Sequence, residues 1–444
     1  MRTVRRNCYC LLRAQRGERQ RRAILVIALE REKLSGPRGD LERNLKLYPI
    51  FSALCYTPVM LPVIVLFFEE NGLSLSDIFL LQAAFGVAMV VLEVPTGMVA
   101  DRLGKRTSLI LGELVLFVSM IGYALSDSFA TFLVAEVCLA LGAALYSGAG
   151  SALLYDTLKA LGREDEYTAR EGKARGVMMI SFAVSNLVGG LLGEWSYRAT
   201  VWATAIGPIF ATLIALRFCE VNTVAPAESF RQGMREYGSL LAGATRFIRK
   251  HRLVRWQITL LAVLVGTSGW LLWLYQPYME AAGLPVWAFG IAFAVFNLFA
   301  AWTSSKADAF ERRLGLRGAI GGLMGLQVLG PLLMSLVIHP AGVLFILSQQ
   351  AVRGLAEPIL SGRILRYTYA DKRSTVLSMA SLFARLFFGV TAPLIGYVAD
   401  RYTLEETFFF QAALLVLILS WMFVRYATIP KKYFEVKESV SEHL

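Results

Sequence analysis

The chain has 444 residues, 56% of them hydrophobic and 18% charged, with a mean hydropathy of +0.53. Soluble domains carry about a quarter charged residues, so this composition excludes a water-soluble enzyme, and its wealth of Leu, Ile, Val and Phe excludes disordered and collagen-like classes. A net charge of +12 would suggest nucleic acid in a soluble protein, but the positions of the charges remove that reading.

Residues 1–40 stand outside any spanning pattern. Their apolar core, 23–29, lies between Arg21 and Arg22 on one side and Glu30 and Arg31 on the other. It is too short to cross a bilayer, and no small-residue cleavage site follows it. The segment is expected to be a disordered or artefactual N-terminal extension. Beyond it, runs of about 20 apolar residues, enough to cross roughly 30 Å of hydrocarbon, recur twelve times. The first six lie at 47–68, 79–100, 108–126, 130–155, 176–193 and 200–219. The second six lie at 257–279, 287–305, 319–338, 341–360, 376–397 and 408–425.

With the N-terminus placed inside, 40 of the 45 Lys and Arg fall on the inner side. Only Arg198 and Arg401 fall outside, and Arg217, Arg353 and Arg385 lie within spans. This split follows the positive-inside rule and predicts that both termini are cytoplasmic. It assigns the basic residues to an anionic inner leaflet, with no aromatic platform among them for nucleic acid. The predicted fold is all-α, a membrane protein of 12 transmembrane helices in two six-helix bundles, 41–219 and 257–427. A cytoplasmic linker, 220–256, joins them, and a cytoplasmic tail, 428–444, follows. Leu240, Leu241, Phe247 and Ile248 alternate with Arg and Lys at helical spacing in the linker, which predicts a helix lying on the inner surface. Five scattered cysteines give neither a disulfide scaffold nor a zinc site. The three histidines, His251, His339 and His443, all lie outside the spans. No catalytic residue, metal or cofactor is expected.

The second span ends in Glu93-Val94-Pro95-Thr96-Gly97-Met98-Val99-Ala100-Asp101-Arg102-Leu103-Gly104-Lys105-Arg106. Gly97 suits close helix approach, Asp101 a helix cap or an arginine partner, and the three basic residues an anchor on the inner surface. A phosphate-binding loop is excluded, because the glycine spacing and the Lys-Arg sequence do not form one. Gly97, Asp101, Arg102, Gly104, Lys105 and Arg106 resemble the signature between helices two and three of the major facilitator superfamily. A subgroup of bacterial drug-efflux-like members is more similar still, sharing Glu-Val-Pro-Thr-Gly, Ala152-Leu153-Leu154-Tyr155-Asp156 and Arg373-Ser374-Thr375-Val376-Leu377-Ser378. The resemblance implies alternating access by two rocking bundles. It also implies a charge network in which Asp101 and Arg102 engage Asp156, lean on span eleven and latch the outward-facing state. Lys306 to Gly315 keep the charge and glycine of this signature but not its spacing. Gly396-Tyr397-Val398-Ala399-Asp400-Arg401 echoes it on the opposite side, which reads as chance or helix capping. The Gly-Pro-x-x-Gly-Gly pattern of the family's drug/proton antiporters is reduced here to Ser185-Asn186-Leu187-Val188-Gly189-Gly190.

A charge near mid-bilayer costs about 2.5–3.5 kcal/mol on insertion scales, so each one needs a reason. Glu93, Glu113, Glu136, Arg353, Glu357 and Arg385 are the candidates for proton or substrate coupling. Arg353 and Glu357, four apart, are placed to pair on one helix face. In span seven, Trp270, Trp273 and Pro277 share a face at helical spacing; this aromatic face with Tyr48, Tyr56, Asn186 and Asn297 is a candidate to line a cavity for a hydrophobic or cationic solute. An interfacial aromatic belt is the competing reading. Together the features predict a monomeric secondary transporter in the bacterial inner membrane, with the lipid bilayer and a small-molecule substrate as its partners. The expected activity is proton-coupled efflux, that is, an antiporter. The alternative is a proton-coupled metabolite importer.

Overall fold

The computed structural model describes residues 38–55, 57–221, 230–369 and 372–429. Among them the regular structure is helical, with no strand. The first half contains α1 (Arg38–Cys55), α2 (Ile64–Glu70), α3 (Leu75–Leu103), α4 (Lys105–Leu125), α5 (Phe129–Tyr146), α6 (Ala149–Leu161), α7 (Tyr167–Gly193) and α8 (Tyr197–Ala215). A linker helix, α9 (Phe230–Lys250), precedes the second half. That half contains α10 (Arg252–Ala281), α11 (Val286–Ser305), α12 (Ala307–Leu336), α13 (Ile346–Arg366), α14 (Arg373–Arg401) and α15 (Leu404–Ala427). The N-terminal extension up to residue 37 and the tail beyond 429 lie outside the described residues.

Among the described residues ten segments are long and apolar enough to cross a membrane, and spans one and ten are the two expected crossings not among them. Span one is not one helix. Pro58 and Pro62 remove amide donors and clash with the preceding turn, so α1 stops at Cys55 and α2 restarts at Ile64 after a short 3₁₀ turn, Leu61–Val63. Backbone freed inside a membrane must find partners within the protein. Here Gln276 of α10 accepts from the Val65 amide (2.8 Å) and donates to the Leu61 carbonyl (3.0 Å), while the Thr204 hydroxyl accepts from Met60 N–H (2.9 Å). Span ten falls short because α13 carries Arg353, Glu357, Arg363 and Arg366. Span four is also interrupted: α5 ends at Tyr146 and α6 begins at Ala149, after Gly148 at φ 76°. Gly315, at φ 66°, similarly bends α12.

Apolar attraction between helices is weak in lipid, so small residues and close packing decide which helices touch. In the first half α4 packs on α5 and α8, and α1 on α7; in the second α11 packs on α13, α10 on α14, and α12 on α13 and α15. Two long contacts join the halves, α3 against α14 and α7 against α11. Phe67, Phe68, Tyr123 and Phe132 form an aromatic knot with ring centroids 5.2–6.1 Å apart. Edge-to-face pairs of this kind add about 0.5–1.5 kcal/mol each beyond area burial.

Candidate functional site

The site lies between the halves. One lobe, about 650 Å³, is lined by Gln82 and Phe85 of α3, Trp273 of α10, Glu357 of α13 and Arg385 of α14. A second, about 580 Å³, is lined by Met178, Met179 and Phe182 of α7, Asn297 of α11 and Arg353 of α13. Glu357 and Ser361 border both lobes, and Glu357 also borders a smaller recess between α10 and α13. This carboxylate therefore stands where the lobes meet. The second lobe extends to Arg175 and Ser304, at the ends of their helices on the face that carries the arginine-rich loops, called here the basic face.

The expected Arg353–Glu357 pair does not form. Arg353 donates to Asn297 Oδ1 on α11 instead, because α11 packs along α13 and brings the amide to the guanidinium. Glu357 has no cation within 4.0 Å among the described residues and is exposed to the cavity. Glu93 finds a partner that spacing could not reveal: Arg385 Nη1 lies 3.2 Å from its Oε2, joining α3 to α14. Glu136 is buried and accepts from Gln82 (3.0 Å), itself a cavity-lining residue, so one amide separates this acid from the cavity. Glu113 is fully buried beside the Cys55 thiol, inside the packing of the first half.

The proposed aromatic face separates on folding. Trp273 and Asn297 line the cavity. Trp270 is fully buried and donates to Thr391 Oγ1 (2.9 Å), so it belongs to the packing of the second half. Tyr48 is buried and donates to Glu171 (3.0 Å). Asn186 is buried at the crossing of α7 and α11. Tyr56 lies outside the described residues.

On the face opposite the basic loops, the halves are locked together by two matched contacts. Asp400, at the end of α14, accepts from the Ser76 amide in the first turn of α3 (3.0 Å). Glu194, just past α7, accepts from the Trp287 amide in the first turn of α11 (2.9 Å). Each carboxylate thus caps a helix N-terminus of the other half, where free N–H groups and the helix dipole favour an anion. Each also follows a glycine four residues earlier. A Cβ on Gly190 would lie 2.6 Å from the Trp287 carbonyl and 2.7 Å from Gly290 N. One on Gly396 would lie 2.8 Å from Ser76 Cα. Gly97 and Asp101 carry the same spacing at the basic face. The echo at Gly396–Asp400 is thus a cap, and the recurrence of Gly-x-x-x-acid was the signal that would have found Glu194.

Glu69, just beyond the first apolar span on this closed face, is held at a pKa of about 7 by burial and by the charges of Glu280 and Asp400. A raised value means that the closed arrangement binds this proton more tightly than a hydrated carboxyl does. Lowering the pH from about 7 towards the ordinary value of 4.5 therefore favours closure, and raising it above 7 removes the benefit. The Glu69→Gln variant is expected to lose that pH dependence, read as cysteine accessibility of this face between pH 5 and 8.

At the basic face the signature residues are separated. Lys105 pairs with Asp156, while Asp101 and Arg102 are exposed and Asp156 is not engaged by Arg102. The turn itself is held by Glu220, a residue the sequence did not flag. It accepts from the Lys105 and Arg106 amides (3.0 and 2.8 Å) and so caps α4. Gly104 is at φ 92°, where glycine alone is unstrained, and a Cβ there would lie 2.4 Å from the Glu220 carboxylate, which would have to move and give up the cap. In the loosely matched counterpart Gly315 also has positive φ, and Glu311 pairs with Arg363 near the end of α13.

A helical transporter fold closed on one face, with a cavity between its halves, is the class that these features define. The sequence profile of the Major Facilitator Superfamily matches residues 50–361. The chain belongs to that family. The quinolone resistance protein NorA of Staphylococcus aureus is 22% identical over 169 residues, covering 38% of this chain and 42% of NorA. The match thus spans about two-fifths of that relative. The uncharacterized MFS-type transporter YxaM of Bacillus subtilis is 19% identical over 382 residues, covering 83% of this chain and 91% of YxaM. Among solved structures, the nucleoside transporter NupG superposes with a TM-score of 0.73 at 14% identity, covering 88% of this chain and 100% of NupG.

Proposed function

We propose that this chain is a monomeric secondary transporter of the bacterial inner membrane that exports an amphiphilic organic solute in exchange for protons, with the basic face and both termini cytoplasmic. The observation that carries this reading is the cavity. Its walls are largely apolar, it opens towards the basic face, and it sets one unpaired carboxylate, Glu357, near two arginines. That lining suits a solute with an apolar body and a charged or zwitterionic head. The partial similarity to a quinolone resistance protein favours the same direction and makes a quinolone the first probe.

In this scheme the structure represents the state that receives solute from the cytoplasm. Residues 41–219 and 257–427 rock as two bundles about the Glu93–Arg385 contact. Protonation of Glu93 would release Arg385 and loosen the contact between α3 and α14; Glu136, behind Gln82, is a second proton site. When the outer face opens, the separated Asp101 and Arg102 would come together with span eleven. Removing both outer caps, in Glu194→Gln with Asp400→Asn, is expected to shift the balance towards the outward-open state. The caps are solvent-exposed, so about 0.5 kcal/mol each gives a shift of roughly fivefold, measured by labelling of a cysteine placed on α11 near Trp287.

The direct test uses proteoliposomes and a fluorescent quinolone. Antiport requires accumulation in vesicles with an acidic interior and its loss when an ionophore collapses the gradient. Accumulation in alkaline-inside vesicles would make the protein an importer. Accumulation indifferent to pH would remove the proton from the cycle.

A further inference from the structure

We infer that the second half carries a binding site for an anionic phospholipid of the leaflet on the basic face, away from the transport cavity. A groove of about 1200 Å³ runs between α10, α14 and α15, and the linker helix α9 closes its end at Thr245, Ile248 and Arg249. Its lining is almost wholly apolar, including Phe383, Val390 and Leu417. From Met379 to Thr391 on α14 the groove covers about 18 Å of helix rise, close to the depth of one leaflet of a roughly 30 Å hydrocarbon core.

At its basic end the groove joins a second recess, about 270 Å³, which holds Arg252, Arg255 and Arg425. Arg255, Thr259, Trp421 and Met422 border both spaces, so tail space and head space are continuous. The three arginines are exposed. Among the described residues none of the three has a carboxylate within 4.0 Å. Arg425 lies over the Trp421 ring, 5.3 Å from its centroid, and both side chains line the recess.

The two halves of this site call for one amphiphile. A groove of leaflet depth takes an acyl chain, and three clustered guanidinium groups take a phosphate, which they bind in a fork geometry that lysine cannot copy. Basic pockets between membrane helices recognise anionic headgroups in this way. The orientation follows from the geometry: the tail lies along α14 and the phosphodiester sits between the ends of α10 and α15. Because α9 roofs the groove, the same lipid would hold the linker helix against the second half.

The test uses the purified full-length protein in nanodiscs of phosphatidylcholine into which phosphatidylglycerol is titrated, with thermal stability and native mass spectrometry as readouts. Phosphatidylglycerol should raise the melting temperature by several degrees and be retained at one copy per chain, at least tenfold in preference to phosphatidylcholine. Inorganic phosphate and glycerophosphoglycerol, which lack tails, should do neither. The triple variant Arg252→Gln, Arg255→Gln and Arg425→Gln should lose the preference. Should that variant fail to fold, Val390→Trp, which fills the groove and keeps the arginines, should lose it equally. Equal effects of both lipids, or a preference that survives either variant, would overturn the site. So would a preference that appears only after removal of residues 430–444, which would give the recess to the tail, or a groove protected by a second copy of the chain.

Discussion

Gly190→Val is expected to insert normally and to reduce transport by roughly 100-fold. The reason lies in what the added atom meets. A Cβ at this position falls 2.6 Å from the Trp287 carbonyl oxygen and 2.7 and 2.8 Å from Gly290 N and Cα. All three are backbone atoms of α11, so no rotamer change relieves the clash, and the two helices must move apart. Separation also draws Glu194 away from the first turn of α11. The closed face opposite the basic loops then forms only at a cost. A loss of about 2.7 kcal/mol in the closing step corresponds to that 100-fold change. Gly176→Val on the same helix is the control, since nothing lies within 4 Å of a Cβ there. Transport by both variants in vesicles, and labelling of a cysteine on that closed face, would decide the matter. Wild-type activity in Gly190→Val would mean that α7 and α11 need not touch during the cycle.

Glu93→Gln should abolish accumulation driven by a pH gradient while leaving exchange of labelled for unlabelled solute within a few fold of wild type. Its ion pair with Arg385 spans α3 and α14 at 3.2 Å, with side chains 39% and 35% exposed. Both side chains are more than a third exposed, so the pair adds little to stability. In the proposed cycle its importance would arise when the bundles rock and bury the site, because an unpaired charge in a dry site is far more costly than a neutralised pair. A proton on Glu93 or an arginine beside it would then be the choice that couples transport in that proposed cycle. For the same reason Arg385→Gln alone should impair transport more than Arg385→Gln combined with Glu93→Gln, which leaves no orphan charge. If Glu93→Gln retains full gradient-driven accumulation, Glu136 becomes the carrier to test.

Several of the structural surprises have local causes that were visible in the sequence but not decisive. Pro58 and Pro62 are residues that break helices, yet it takes Thr204 and Gln276, both more than 100 residues later, to partner the freed backbone and make the break tolerable in a membrane. Arg353 and Glu357 have ideal spacing for a pair on an isolated helix; Asn297 on the neighbouring helix competes for the guanidinium and wins. Trp270 and Trp273 are only three residues apart on one face, but packing against α14 buries the first while the second lines the cavity. Glu220 looked like ordinary linker charge and turned out to cap the signature turn.

The residue order alone determined the fold class, through the recurrence of apolar runs of bilayer length. It also determined which face carries the arginines and which turn bears the family signature. These depend on hydrophobicity and on neighbours within a few residues, and both are written along the chain. Tertiary structure decided which acid meets which base, which glycines touch, and which aromatics see the cavity. Each of those depends on how helices distant in sequence are rotated and pressed together, and a shift of one residue, about 100° around a helix, changes every one of them.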